Sequence, residues 1–302
     1  MFPAKAGLRL DQTTSLSYGV FSDIYGCNTR MFWPFRKLLG SRTVSTVAPA
    51  IPAGERVFAI GDIHGCDQLF AALQQAIEAQ ETRLPPARTT IILLGDLIDR
   101  GPDSASVLAR AQDWQTRHRA KGLPFHILMG NHEDMLLQAM AKVDAMRLFV
   151  EHGGKETILS LGVSPAAYEA ASWGELQGLL RAALGEQRAA FIRSFQSMVQ
   201  LGDYAFTHAG IRPGLPLEEQ SAQDMRWIRE PFLSSNDNHG AVIIHGHSIV
   251  EAPDLRSNRI GIDTGAYASG RLTALMLEGT QRWFLSAVQS GATITTSLQQ
   301  AA

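Results

Sequence analysis

RVFAIGDIHG, residues 56–65, decides how the rest of the chain is read. Residues 56–60 are apolar and β-favouring and predict a short buried strand. The strand runs straight into a Gly-Asp turn. There Asp62 and His64 alternate on extended backbone, so both can reach one point from a single loop. Gly61 and Gly65 allow the tight turn around them. A helix should follow, with Asp67 as its N-cap and Leu69, Leu73 and Ile77 on one face.

The same unit recurs twice. TIILL (90–94) enters GDLIDRG (95–101), and a helix is expected over 104–119. FHILM (125–129) enters GNHE (130–133), with a helix from near 133 through 146. Continuous apolar strands separated by helices imply a parallel sheet covered on both faces. Ligands gather at the carboxyl ends of such strands, so the three blocks should converge. Residues 147–200 are Ala- and Leu-rich and read as a helical insertion broken at Gly153-Gly154, Gly162 and Gly174. After Gly202, strands are expected at 204–207, 241–245, 260–263, 271–277 and 281–285, with Gly279-Thr280 as a short turn between the last two. Two of them lead into THAG (207–210) and HGH (245–247).

This divides the chain into a tail and linker over 1–53, one domain over 54–287 and a polar, frayed C-terminal tail over 288–302. Residues 31–40, MFWPFRKLLG, suit packing on the domain or a mobile arm better than a membrane surface, and Met31 is an alternative natural start. A net charge of −2 argues against a dedicated nucleic-acid or polybasic membrane binder. The two cysteines, Cys27 and Cys66, make neither a disulfide framework nor a zinc ribbon, so a cytoplasmic setting is expected. No apolar run is long enough to span a bilayer, and the N-terminus lacks a signal-peptide core.

Taken singly, an Asp, Asn or His in a turn is an ordinary polar residue. Their gathering at successive strand ends is what points to metal. Asp62 and His64 can reach one ion, Asp96 has two oxygens with which to bridge to a second, and Asn131 offers an amide oxygen suited to a hard cation. His208 and His247 arrive from later strands to close the second site. Two such ions, about 3.5–4 Å apart, suit in-line attack of a bridging hydroxide on a phosphoester. The leaving oxygen then needs a proton. His132, next to Asn131, is placed to supply it, and Asp99 to orient that imidazole. Arg100 can grip phosphate oxygens with its planar fork. For a second cation Arg229 is the candidate and Arg226 the alternative, the bland reading of each being a surface salt bridge. Glu133 reads as a helix cap, His245 as support for His247, and His118, His126, His152 and His239 as structural or surface residues.

With these blocks in hand, the chain resembles the calcineurin-like metallophosphoesterases, and within them the bacterial and phage branch of the phosphoprotein phosphatases. GDxHG, GDxxDRG, GNHE, HAG and GH are all present, and the resemblance extends over roughly residues 55–285. It implies an α/β fold, a four-layer α-β-β-α sandwich of two mixed sheets with a helical insertion. It implies one metal on Asp62, His64 and Asp96, a second on Asp96, Asn131, His208 and His247, His132 as general acid with Asp99, and Arg100 on phosphate. Manganese is usual in bacterial members, with iron or zinc as alternatives. A stretch similar to 227–230 carries a phosphate-binding Arg in phage-type enzymes, which favours Arg229. One departure is that an Arg expected shortly before GNHE is replaced by the Leu128-Met129 neighbourhood, so one cationic contact is absent or supplied elsewhere.

The leading expectation is a protein phosphatase acting on phosphoserine or phosphothreonine, with phosphotyrosine as an extension. The alternative is a symmetrical dinucleoside tetraphosphate hydrolase, whose adenines could use Tyr168 and Trp173. GNHE rather than GNHD leans away from it, and HGGKETILSLG (152–162) is similar to segments of both branches. A non-catalytic scaffold for phosphorylated partners is disfavoured by the intact proton donor.

Overall fold

In a computed structural model describing residues 48–301, the apolar run at 56–60 lies inside a six-stranded sheet. Along the chain the elements are β1 (Glu55–Ile60), α1 (Asp67–Arg83), β2 (Arg88–Leu93), α2 (Ser104–Ala120), β3 (Phe125–Ile127) and α3 (Asn131–Ala141). The insertion follows as α4 (Asp144–Phe149), a π-helical turn (Val150–Gly154), α5 (Lys155–Ser160), α6 (Pro165–Ala170) and α7 (Trp173–Arg193). Then come β4 (Met198–Leu201), β5 (Tyr204–Thr207), α8 (Ala222–Trp227), β6 (Val242–His245), β7 (Asp254–Leu255), β8 (Arg259–Gly261), α9 (Ala266–Ser269), β9 (Arg271–Glu278), β10 (Gln281–Ser290) and β11 (Thr293–Gln300).

The first sheet runs β11-β10-β9-β1-β2-β3 and the second β4-β5-β6-β8-β7. As expected, β1, β2 and β3 are parallel, while β9 lies antiparallel against β1. Both sheets are mixed, since β5, β6 and β8 are parallel and the flanking β4 and β7 antiparallel. Strand alternation sorts the core. Val57, Ala59, Ile92 and Leu94 point between the sheets onto Phe206, Ile244 and Ile260. Phe58, Ile60, Ile91 and Leu93 point outward beneath Phe70 and Leu73 of α1 and Val107 and Trp114 of α2. The outer face of the second sheet is covered more thinly, by Ile211, Ile228 and Phe232 around α8. The fold is thus the α/β sandwich of two mixed sheets that the motifs implied.

Several boundaries differ from expectation, each for a physical reason. α3 begins at Asn131 and stops at Ala141, and α4 starts a new helix at Asp144. Asp67 does not cap α1. It forms a bidentate ion pair with Arg110 at 2.7 and 2.8 Å. Gly174 lies inside α7, whose kink falls instead at Gly185 (φ 71°). The expected insertion ends early, because β4 occupies residues within 147–200.

The largest correction concerns the C-terminal tail. β10 continues to Ser290, turns at Gly291 (φ 60°) and returns as β11, paired from Trp283↔Gln300 to Ser290↔Thr293. β11 is mostly polar and nearly all exposed, with Ile294 and Leu298 its only apolar residues, too few to give the alternation that marks a half-buried strand. Its Thr-rich composition and the Gly turn are the signals the sequence does carry. At the other end, the Ile51 N–H donates to the Gly279 carbonyl and Ile51 is buried, so the domain starts a few residues before 54. The expectations for 31–40, Met31 and Cys27 lie outside the described residues. No helix among the described residues is long and apolar enough to cross a membrane.

Candidate metal centre

The loops after β1, β2 and β3 meet the loops after β5 and β6 at one edge of the sandwich. Asp62, His64, Asp96, Asn131, His132, His208 and His247 are all brought together there, and all are buried. The chain is bent hard to place them. Among the described residues, the non-glycine residues with positive φ are His64 (45°), Asp96 (49°), Asp99 (71°), Arg100 (67°) and His247 (61°). Each such conformation is costly for an L-residue, and strain of this kind concentrates at functional sites.

Two groups of side chains that could each hold a metal ion share Asp96. His64, Asp96 and His132 offer donor atoms within 4.8 Å of one another, and so do Asp96, His208 and His247. Asp62 lies beside the first cluster rather than in it. One of its carboxylate oxygens accepts from the His247 N–H at 3.0 Å, and the other, Oδ1, is buried without a partner.

Hydrogen bonds fix the imidazoles. His64 Nδ1 donates to the Ile98 carbonyl (2.8 Å) and His208 Nδ1 to the Leu94 carbonyl (2.9 Å). Each neutral ring therefore turns an Nε2 lone pair into the site. His64 Nε2 faces Asp96 Oδ2 at 3.5 Å. His208 Nε2 lies 2.9 Å from Asn131 Oδ1 and 3.5 Å from Asp96 Oδ1, with His247 Nδ1 2.8 Å from the same amide oxygen. His208 Nε2 and Asn131 Oδ1 are two acceptors 2.9 Å apart, and a cation between them would satisfy both. Turning the Asn131 amide would give the rings a donor, but it would leave Asp62 Oδ1 unanswered. His247 Nε2 is likewise buried and unpartnered.

Electrostatics point the same way. Burial, then Asp263 and Asp96, hold the Asp62 carboxyl well above the usual carboxylate range. Burial tends to raise Asp96 as well, but His208, His132 and His64 together pull it below that range. Burial pushes His64 and His247 down to about 3, so both are neutral and able to ligate at physiological pH. The donor set of carboxylates, an amide oxygen and imidazoles fits divalent transition metals.

Behind the ligands stands a buried pair. His132 Nδ1 donates to Asp99 at 2.7 Å, while His132 Nε2 has no partner and faces the Asp96 carboxylate at 3.9 Å. Burial lowers the His132 pKa, but Asp96 and Asp99 outweigh it and hold the ring above the ordinary histidine range. Arg100 reaches the same place, with Nη1 3.0 Å from His64 Nε2. Arg229 is exposed, and its charge contributes to holding the His208 and His247 pKa values down. Arg226 instead pairs with Asp134 at 2.9 Å, the bland alternative for that residue.

Sequence reasoning missed several supports. Glu133 does cap α3, accepting from the Gly130 N–H at 3.1 Å. It also accepts from the N–H groups of Asp96 (3.0 Å) and Leu97 (2.7 Å), so one buried carboxylate ties two loops together. Thr157, from the insertion, donates to Asp99 at 2.6 Å and accepts from the Asp99 N–H. Asp263 lies against Asp62, and burial pushes its carboxyl up to about 6. Tyr267 stands over Arg100. From sequence, Glu133 has only its capping role, and Thr157, Asp263 and Tyr267 have none in the site. The expected surface or structural histidines behave so, His118 for example bonding the Thr89 carbonyl at 2.9 Å. Tyr168 packs against the helical side of the core under Lys155, and Trp173 is exposed at the start of α7.

Glycine is required at Gly130, where a Cβ would sit 2.1 Å from Asp96 Oδ1 and 2.4 Å from the Asp96 nitrogen. Neither atom is free to yield. Gly130→Ala is expected to cost about 1–3 kcal/mol of stability, the usual penalty of overpacking, and to weaken manganese binding; thermal unfolding and metal titration check both. An unchanged metal affinity would show that Asp96 is not held where the structure puts it.

Comparison with known proteins agrees with this geometry. The family model described as calcineurin-like phosphoesterase matches residues 55–270. A serine/threonine-protein phosphatase 1 of Salmonella typhimurium is 38% identical over 99 residues, which is 32% of this chain and 38% of that protein, well under two thirds of its length. An asymmetrical bis(5'-nucleosyl)-tetraphosphatase PrpE of Anoxybacillus flavithermus is 24% identical over 72% of this chain and 88% of its own. The solved structure of a cold-active protein tyrosine phosphatase shares the fold, with a TM-score of 0.53 and 19% identity over 82% of this chain and 81% of that one. Strand-end carboxylates and imidazoles, the sandwich that gathers them and a family match over most of the chain lead to one conclusion: this protein belongs to the calcineurin-like phosphoesterases, metal-dependent hydrolases of phosphoesters.

Proposed function

We propose that this chain is a phosphomonoester hydrolase acting on phosphoserine or phosphothreonine in proteins or peptides, with phosphotyrosine as an extension. The observation that carries it is the Asp99–His132 pair, 2.7 Å apart, fully buried and ending in an unpartnered Nε2 beside the ligand clusters. That arrangement holds a proton ready for a poor leaving group such as a serine alkoxide. Asp62, His64 and Asp96 would hold one divalent ion, and Asp96, Asn131, His208 and His247 a second, manganese being the expected metal. Such ions supply Lewis acidity toward phosphoryl oxygens and make the attacking water more acidic.

The chain's own residues do the rest. Arg100 and Arg229 bind non-bridging oxygens from opposite sides and orient the ester for in-line displacement. Asp99, itself held by Thr157, accepts from His132 Nδ1–H and favours the doubly protonated ring, whose Nε2–H faces the departing oxygen. Glu133 keeps the Asp96 and Asn131 loops in register.

The second reading is a dinucleoside tetraphosphate hydrolase. It is favoured by the PrpE relative, which aligns with more of this chain than the phosphatase relative does. Tyr168, half-buried against the core with Lys155 over its ring, and the exposed Trp173 are the aromatic residues that reading would use for adenine. A paired turnover assay on manganese-reconstituted protein separates the two. Phosphate release from phosphoserine and phosphothreonine peptides, with diadenosine tetraphosphate idle, is the expected result; clean cleavage of the dinucleotide with idle peptides would overturn it.

A further inference from the structure

Tyr267 is a large aromatic side chain left 40% exposed at the edge of a buried polar centre. It sits in the short turn of helix α9, after β8. Its ring does two things there. Edge-on, it packs against His64, with centroids 5.3 Å apart at 84°. Face-on, it carries Arg100, whose guanidinium carbon is 4.9 Å from the ring centroid. The phenol hydroxyl takes no hydrogen bond among the described residues, so the face of the ring, rather than its polar tip, makes the contact.

Arg100 needs such a support. Its backbone is in the left-handed region (φ 67°), and its N–H donates to the Gly153 carbonyl at 3.1 Å. Gly153 closes off one side of its stem, because a Cβ there would lie 2.8 Å from Arg100 Cγ. No salt bridge among the described residues anchors the guanidinium. Its polar contact is His64 Nε2 at 3.0 Å. An arginine that is to meet phosphate with both prongs must be held without a carboxylate, since a carboxylate would compete for the same donors. A ring face holds the guanidinium without taking any of its in-plane N–H groups, so those not on His64 stay free for phosphate.

We infer that Tyr267 is a positioning residue for the phosphate-binding step, a shelf that orients Arg100 toward the substrate's phosphoryl oxygens. The inference rests on Arg100 being a phosphate ligand, and the experiment tests that separately. Metal-reconstituted full-length protein is assayed with p-nitrophenyl phosphate, with inorganic phosphate as competitive inhibitor. Phosphate affinity by calorimetry reads the same contact without turnover.

Tyr267→Ala should raise KM and the phosphate inhibition constant about three- to tenfold, the range that a partly exposed cation–π contact supplies, with a smaller change in kcat. Tyr267→Phe, which keeps the ring, should recover most of this. Arg100→Ala should lose more, and adding Tyr267→Ala to it should cost nothing further, because the two act as one unit. A full additional penalty in the Arg100→Ala background, or a Phe variant as impaired as Ala, would overturn the role of Tyr267. Unchanged phosphate affinity in Arg100→Ala alone would remove Arg100 as the phosphate ligand, and the shelf with it. Normal affinity in Tyr267→Ala beside a damaged Arg100→Ala would remove only the shelf.

Discussion

Asp96→Asn will hydrolyse p-nitrophenyl phosphate about 10³-fold more slowly than the unmodified protein, the upper end of what losing one fixed charge-stabilising group costs. Asp96 is the one residue common to both ligand clusters. Asn keeps an oxygen to accept from the His132 N–H, a bond of 3.1 Å here, so the loop can hold its shape. What it loses is the second anionic oxygen facing His64 and His132, and the charge that four imidazoles now surround. Metal content should fall together with turnover, and the two are measured on the same sample by elemental analysis and initial rate. Full metal content with ordinary turnover would sink the idea that Asp96 joins the clusters.

Removing the proton donor should show a different signature. His132→Asn is expected to slow phosphoserine-peptide hydrolysis by about 10²–10⁴-fold, the span that general acid catalysis covers. The loss should be much smaller on p-nitrophenyl phosphate, whose leaving group departs without a proton. Equal losses on both esters would assign His132 to the metal rather than to the leaving group, a real alternative, since its Nε2 belongs to the first cluster.

The pH dependence follows from the same pair. Asp96 and Asp99 hold the His132 pKa above the ordinary histidine value against the effect of burial. In the proposed role of His132 the protonated ring is the working form, so activity should persist below that raised pKa and fall as pH rises through it. Asp99→Asn removes one of the two supports. Its alkaline limb should therefore move to lower pH, which a kcat–pH profile on a phosphopeptide reads directly. A limb that stays in place would show that Asp99 does not act through His132.

The strand–loop–helix units at residues 56–65, 90–101 and 125–133 are legible in the amino-acid sequence alone, because a fully buried parallel strand writes itself as an unbroken apolar run. The motif residues are legible too, since Asp62, His64, Asp96, Asn131 and His132 each sit just past such a run. Other features stay hidden for physical reasons. Glu133 looks like a helix cap and is one, yet its two oxygens also hold a loop 37 residues earlier. Thr157 reaches Asp99 across 58 residues, a pairing only the packed insertion creates. Tyr267 lies in no pattern at all. β11 escapes notice because this exposed edge strand has only Ile294 and Leu298 as apolar residues, too few for a hydrophobic alternation. The pairing of Arg226 with the Asp134 carboxylate, 92 residues away, is likewise created only by the fold.

In the proposed centre two ions share Asp96 at the meeting point of these loops. The direct measurement is a crystal of manganese-soaked protein with data collected at the manganese absorption edge. Two anomalous peaks flanking the Asp96 carboxylate are predicted, one against His64 and Asp62, the other against Asn131, His208 and His247. A single peak, or peaks that leave Asp96 untouched, would contradict it.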